Sequence, residues 1–237
     1  MPDDDFGIES LAAYLHVDPA QVVRLVERGK LPGRKVGGQW RFAQAEIHHW
    51  LEGRIGLSTD QELVHMEGAL RRAAGKIDEP AVSIAAMLPL EAVAIPLLAR
   101  TRGSVITSMV ELAGKTGWLW DTAKMAEAIR TREDLFPTAL DNGVALLHPR
   151  RPLAGILEQP FLALGRVDRG IPFGAPRGQL TDLFFLIAST DDGGHLRTLA
   201  RLSRLISDPE LLEALRQAPD SAATRAAIVD REAALDG

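Results

Sequence analysis

Apolar residues return along the start of the chain at two different spacings. Ile8, Leu11, Ala12 and Leu15 recur at the helical interval. A short turn, His16-Val17-Asp18, follows. Asp18 stands where an N-cap carboxylate belongs, and Pro19 suits the first helical position. Val22, Val23, Leu25 and Val26 then form the apolar side of a second helix, which Gly29 ends. Two short helices joined by a tight turn predict a helix-turn-helix. In "LPGRKVGGQWRF" the interval changes, and Gly37-Gly38 signals a hairpin between two short strands. "AQAEIHHWL" returns to helical spacing, with Ile47, Trp50 and Leu51 expected inward.

The next segment is polar and interrupted by glycine. Ser58 or Thr59 would cap a helix through "DQELVHMEGALRRAA". Leu63, Met66, Leu70 and Ala74 make a narrow apolar stripe, which suits a partner helix and hints at a homodimer. A linker helix lying on the second domain is the alternative. Gly75 to Pro80 ends this helix.

Beyond Ala81, helical and strand patterns alternate. "SVITSMVELAGKTG" and "DTAKMAEAIRTRED" read as helices, the second capped by Asp121. "GVALLH", "PFLALGRV" and "LTDLFFLIAST" read as strands. The last is apolar through its middle, so both of its faces should be covered. "GHLRTLARLSRLIS" is amphipathic. "DPELLEALRQA" opens with an N-cap and a first-turn proline, and "DSAATRAAIVDREAAL" closes the chain as a helix. Helices around a sheet predict an α/β sandwich with a central mixed sheet flanked by helices. The expected architecture is therefore two-domain. A small α+β helix-turn-helix spans residues 1–54, a linker helix 55–80, and the α/β domain 81–237.

At 46% hydrophobic residues the chain can bury a real core, and its net charge of −5 carries no global signal for nucleic acid or membrane. The local signal differs. Arg24, Arg28, Lys30, Arg34, Lys35 and Arg41 stand against a single acid, Glu27, and Asp3-Asp4-Asp5 hides this bias in the total. A basic helix followed by a basic hairpin suits a major groove and its phosphates, so double-stranded DNA is the expected partner. Cysteine is absent, which excludes disulfides, thiolate catalysis and cysteine metal sites. None of the six histidines forms a HExxH pair; His16, His48 and His49 read as helix-surface residues, and no metal site is expected. No GxGxxG or P-loop occurs, and no cofactor is expected. The acidic start lacks a signal region, and no apolar run approaches the roughly 18 residues of a membrane span. The expected location is cytoplasmic, away from membranes.

"LAAYLHVDPAQVVRLVERGKLPGRKVGGQWRF" followed by "EIHHWL" resembles the winged-helix DNA-binding domain of the excisionase and MerR-like group. The resemblance implies a recognition helix from Ala20 to Arg28, carrying Gln21, Arg24 and Arg28. It implies a wing from Arg34 to Arg41, carrying Arg34, Lys35 and Arg41. Use of the same helices for protein contacts is the alternative.

"TREDLFPTALDNGVALLH", "GIPFGAPRGQLTDLFFLIA" and "GHLRTLARLSRLISDPELLEALRQA" resemble, in order and spacing, the enzyme IIA domain of the fructose–mannitol type of the sugar phosphotransferase system, its nitrogen-regulatory relatives included. The match covers roughly Ser83 to Asp230. Taken alone, His148 reads better as a strand-end residue. The resemblance makes it the histidine that accepts a phosphoryl group from a small phosphocarrier protein. It makes His195 the second histidine, Arg132 the phosphate-binding arginine and Thr138 a hydrogen-bond donor. Three positions depart from the pattern. Leu147 replaces the proline before the histidine, and Arg150-Arg151 replace small residues after it. Pro149 still biases His148 towards extended backbone. The arginine pair, with Arg166, Arg169 and Arg177 downstream, would form a basic rim that attracts anions and repels a basic docking face. The function expected is a DNA-binding transcriptional regulator whose enzyme IIA-like domain accepts a phosphoryl group or senses phosphotransferase-system state. One alternative is a phosphotransfer enzyme whose winged helix contacts protein. The other is a degenerate domain that binds a small anion.

Overall fold

The computed structural model describes residues 5–15, 17–44, 46–47, 50–51, 64, 68, 70 and 82–236. The chain divides into two compact units: Met1–Val82 with Leu199–Arg204, and Ser83–Thr198 with Leu205–Gly237.

The first unit begins with a two-residue strand, β1 (Asp5–Phe6), then α1 (Ile8–Leu15) and α2 (Pro19–Glu27). Asp18 caps α2, its Oδ1 accepting the Ala20 N–H at 2.7 Å, with proline in the first turn. β2 (Arg34–Val36) and β3 (Gln39–Ala43) are antiparallel. Gly37 and Gly38 both take positive φ, 58° and 80°, which is what a two-residue turn matching the strand twist requires. β1 pairs with β3 through Asp5↔Ala43 and Phe6↔Phe42, so the sheet order is β1-β3-β2. Leu11, Val22, Val26, Leu31, Phe42, Ile47 and Leu51 form the buried apolar set. Burying a side chain such as Phe42 favours folding by about 1.5–3 kcal/mol. Trp50 is only half-buried, and its indole N–H donates to the Lys30 carbonyl at 2.7 Å. Ile47 and Leu51 point inward as expected; Trp50 ties the helix to the end of α2 instead. Leu70 is helical and buried. Leu63, Met66, Ala74, the cap candidates Ser58 and Thr59, and His16, His48 and His49 lie outside the described residues.

In the second unit, α3 (Ile84–Met87) leads through a 3-10 turn (Leu90–Ala92) to β4 (Val93–Ala94). α4 (Arg102–Gly114) opens with a Thr101/Ser104 capping box, and α5 (Thr122–Leu135) is capped by Asp121. Next come β5 (Val144–Leu147), β6 (Phe161–Pro172) and β7 (Leu180–Ala188). α6 (Asp192–Ile206), α7 (Pro209–Gln217) and α8 (Ser221–Asp236) complete the chain. The sheet order is β4-β6-β7-β5, with β4∥β6, β5∥β7 and an antiparallel β6/β7 pair. It is the mixed sheet expected from the alternating pattern. Every residue of β5 is buried, as is β7 from Leu183 onward. α4 packs on β6 and β7, α5 packs on α4, and α8 packs on β4 and α3. The parallel pair positions the chemistry. β5 and β7 run side by side, Leu147 opposite Leu186, so their carboxyl ends open on one edge of the sheet. Crevices outside such strand ends are where open α/β sheets place their ligands.

Candidate phosphoryl-acceptor site

His148 is the first residue past β5, and it is 3% exposed. Its Nδ1 lies 2.7 Å from the Leu146 carbonyl oxygen. A carbonyl can only accept, so this bond places the ring proton on Nδ1 and the lone pair on Nε2. β7 ends at Ala188; Ser189 follows, and Asp191 opens α6 by accepting the Gly194 N–H at 2.6 Å. His195 therefore stands in the first turn of α6, buried, with Nδ1 3.2 Å from Ser189 Oγ. The two imidazole rings lie 4.9 Å apart, centroid to centroid, tilted by 50°.

A third piece of chain completes this edge. After α5, residues 138–140 run antiparallel to β5. Ala139 bridges Ala145, the Leu140 N–H donates to Val144 O at 2.8 Å, and the Leu146 N–H donates to Thr138 O at 3.4 Å. Arg132, buried in the last turn of α5, donates from Nη1 to the Phe136 carbonyl at 2.6 Å. Its guanidinium is thereby fixed on the backbone at the end of α5, two residues before Thr138. Thr138 is also buried, and both its hydroxyl and its N–H donate to the Glu133 carboxylate.

Glu133 is fully buried, and burial pushes its carboxyl above the ordinary range. The Thr138 hydrogen bonds, the Arg102 guanidinium and the nearby His148 oppose that rise. Arg102 Nη2 stands 3.8 Å from Glu133 Oε2, its Nη1 pairs with Asp134 at 3.4 Å, and the guanidinium lies over the Phe173 ring. Glu133, Arg102 and Ser189 are absent from the sequence-derived set. Glu133 had a signal, since it adjoins Arg132 in the segment that carries the resemblance. Arg102 and Ser189 had none.

The arginines expected around the site divide. Arg150 and Arg151 are exposed directly after Pro149. Arg166 is not part of a rim. It sits on β6 opposite Leu183, which pairs with Val144 at the start of β5. That is four residues short of His148, roughly 13 Å along the strand. Its Nη1 donates to the carbonyls of Leu215, Arg216 and Ala218, satisfying the C-terminal end of α7. Arg169 lies farther along β6, and Arg177 pairs with Asp141 at 3.1 Å. Among the described residues, no cluster of three His, Asp or Glu has metal-ligand spacing.

A second surface belongs to the first unit. Gln21 and Arg24 are exposed on α2, and Arg28 just past its end, on the side away from buried Val22 and Val26. Arg34 is exposed but paired with Asp5 at 2.8 Å, so part of its charge is already compensated. Lys35 lies over the Trp40 ring at 5.0 Å. Arg41 is half-buried beside Gln39, at 3.5 Å.

Comparisons with known proteins match both parts of the chain. The family model described as phosphoenolpyruvate-dependent sugar phosphotransferase system, EIIA 2, matches residues 86–230. A helix-turn-helix domain model matches residues 6–55. A nitrogen regulatory protein of Bradyrhizobium diazoefficiens is 37% identical over 120 residues, 49% of this chain and 76% of that protein. The fructose-specific EIIABC component of Bacillus subtilis is 30% identical over 139 residues, 58% of this chain but only 21% of that protein. Among solved structures, nitrogen regulatory protein IIA-Ntr from Neisseria meningitidis superposes with a TM-score of 0.55 at 26% identity, covering 61% of this chain and 98% of that one. IIA mannitol from Escherichia coli shares the fold, with a TM-score of 0.52 at 19% identity, covering 59% and 97%. No helix among the described residues is long and apolar enough to cross a membrane.

Proposed function

We propose that this chain, which belongs to the EIIA 2 family of the phosphoenolpyruvate-dependent sugar phosphotransferase system, is a DNA-binding regulator whose His148 accepts a phosphoryl group from a phosphocarrier protein. The observation that carries this reading is the His148 ring, its Nδ1–H on the Leu146 carbonyl and its face beside His195. A lone pair on Nε2 is what an imidazole nucleophile needs. In the transfer, Nε2 forms a bond to phosphorus as the donor–phosphorus bond breaks. The electron pair of that bond leaves with the donor. The proton stays on Nδ1, hydrogen-bonded to the Leu146 carbonyl. Such transfer asks the protein for positioning and charge stabilisation. Arg132 and His195 supply cationic and hydrogen-bonding contacts to the phosphoryl oxygens, and exposed Arg150 and Arg151 raise the local concentration of anions.

The functional divisions are residues 1–54, 55–80 and 81–237. Gln21, Arg24, Arg28, Lys35 and Arg41, with a partly compensated Arg34, form the DNA-binding set. The relatives named nitrogen regulatory proteins favour a regulatory role over sugar uptake. A homodimer would offer two copies of α2 to an operator with two half-sites. Phosphorylation adds about −1.5 to −2 charge at His148 and biases whichever interface meets that charge.

Two measurements test the halves of this reading separately. The full chain is incubated with phosphorylated phosphocarrier and digested, and the label is mapped. Label on His148 is expected; its absence removes the transfer half. Operator affinity is then compared among the phosphorylated chain, His148→Asp and His148→Ala. A difference of several-fold is expected, and equal affinities remove the switch half.

A further inference from the structure

Phosphoryl acceptance by His148 does not call for a buried carboxylate, yet Glu133 is one. Taking a charge out of water is costly unless partners compensate it. An anion beside a phosphoryl acceptor also opposes phosphate binding. Its partners show another use. The Glu133 oxygens collect the Thr138 N–H and hydroxyl, which pins the 138–140 segment. The Thr138 carbonyl accepts the Leu146 N–H at 3.4 Å, and the Leu146 carbonyl accepts the His148 Nδ1–H at 2.7 Å. Hydrogen bonds thus connect the carboxylate to the imidazole through Thr138 and Leu146.

We propose that Glu133 is a positioning residue that fixes His148 as the Nδ1–H tautomer, acting through Thr138 and Leu146. The Arg102 guanidinium, 3.8 Å from Glu133 Oε2, supports the anionic carboxylate, which accepts from two donors at once. An amide at this position presents N–H groups to donors and loosens the segment. The Leu146 carbonyl then drifts from Nδ1, and the ring proton is free to occupy Nε2. That tautomer places the proton on the atom that must attack. This role rests on the acceptor reading only for its consequence, because the tautomer is a property of the unphosphorylated chain.

The test uses the full chain labelled with ¹⁵N-histidine at about pH 8, where free imidazole is neutral. Long-range ¹H–¹⁵N correlations report the tautomer of each ring. In the native chain His148 should show the Nδ1–H pattern alone. In Glu133→Gln and Thr138→Val it should show a mixture of both tautomers, while His195 keeps its native pattern as a check on folding. The rate of label transfer should fall in step with the Nδ1–H fraction. Thr138→Val decides the matter if Glu133→Gln does not fold, because it keeps the carboxylate and removes one donor. An unchanged Nδ1–H pattern in the folded variants overturns the proposal. A tautomer shift in a chain that takes no label supports the positioning role and overturns the acceptor reading.

Discussion

The two candidate surfaces of this chain hold their functional side chains in opposite ways. Gln21, Arg24, Arg28 and Lys35 stand exposed on a short helix and a hairpin, placed by ordinary capping and turn chemistry. His148, His195, Arg132 and Thr138 are each less than a tenth exposed and tied to a backbone or side-chain partner. The difference follows from what each contact must do. A phosphate contact on DNA needs a cation at the right spacing, and a long mobile side chain is adequate. A phosphoryl acceptor needs one nitrogen in one protonation state, which burial and a fixed hydrogen bond provide. The first surface should therefore weaken by degrees and the second should fail abruptly.

Phe42→Ala gives the largest effect on the exposed surface. The ring is fully buried in the core of the first unit, so its loss should cost about 3–5 kcal/mol. Chemical denaturation followed by tryptophan fluorescence should show the transition of the first unit move, with DNA binding lost. A retained midpoint would mean that this unit does not depend on its core. Arg24→Ala should act more gently. It should weaken binding to all duplexes alike and reduce the slope of log affinity against log salt by about 1. Arg34→Ala should reduce that slope less, because Asp5 already shares its charge. Equal losses would show that the Asp5 pair does not compensate Arg34.

The pH dependence of stability gives the smallest effect and tests burial at the second surface. Burial raises the Glu133 carboxyl above 4.5, so the folded chain holds this proton more tightly than the unfolded one. Stability from this group is therefore greatest below pH 4.5 and declines as pH rises through the raised value. Unfolding free energies of the native chain and Glu133→Gln, measured from acid to neutral pH, should diverge in that direction. Parallel curves would show that the carboxylate is not under strain from burial.

Legibility also differed between the surfaces. The capped helix α2 and the Gly-Gly hairpin follow from short-range signals that act within a few residues. Elements that depend on distant partners were not readable. β1 exists because Asp5 and Phe6 meet Ala43 and Phe42. α3 exists because Glu232 accepts from Ser83 Oγ and from the backbone N–H groups of Ile84 and Ala85. The histidine pair was legible only through motif order, since nothing local places His195 beside His148; the parallel pairing of β5 with β7 does that. Glu133 was missed because carboxylates are by default outside, and its burial depends on Thr138 and Arg102. Arg166 misled for the same reason: its carbonyl partners lie about 50 residues away, on the end of α7.

The central claim is that His148 Nε2 accepts a phosphoryl group, and the chemical position of the label tests it most directly. The full chain is phosphorylated through its phosphocarrier and examined by ³¹P and ¹⁵N NMR beside His148→Ala. One phosphohistidine, bonded through Nε2 of His148 and absent from the variant, is the predicted result. No phosphohistidine, or one carried on Nδ1 or on His195, would contradict it.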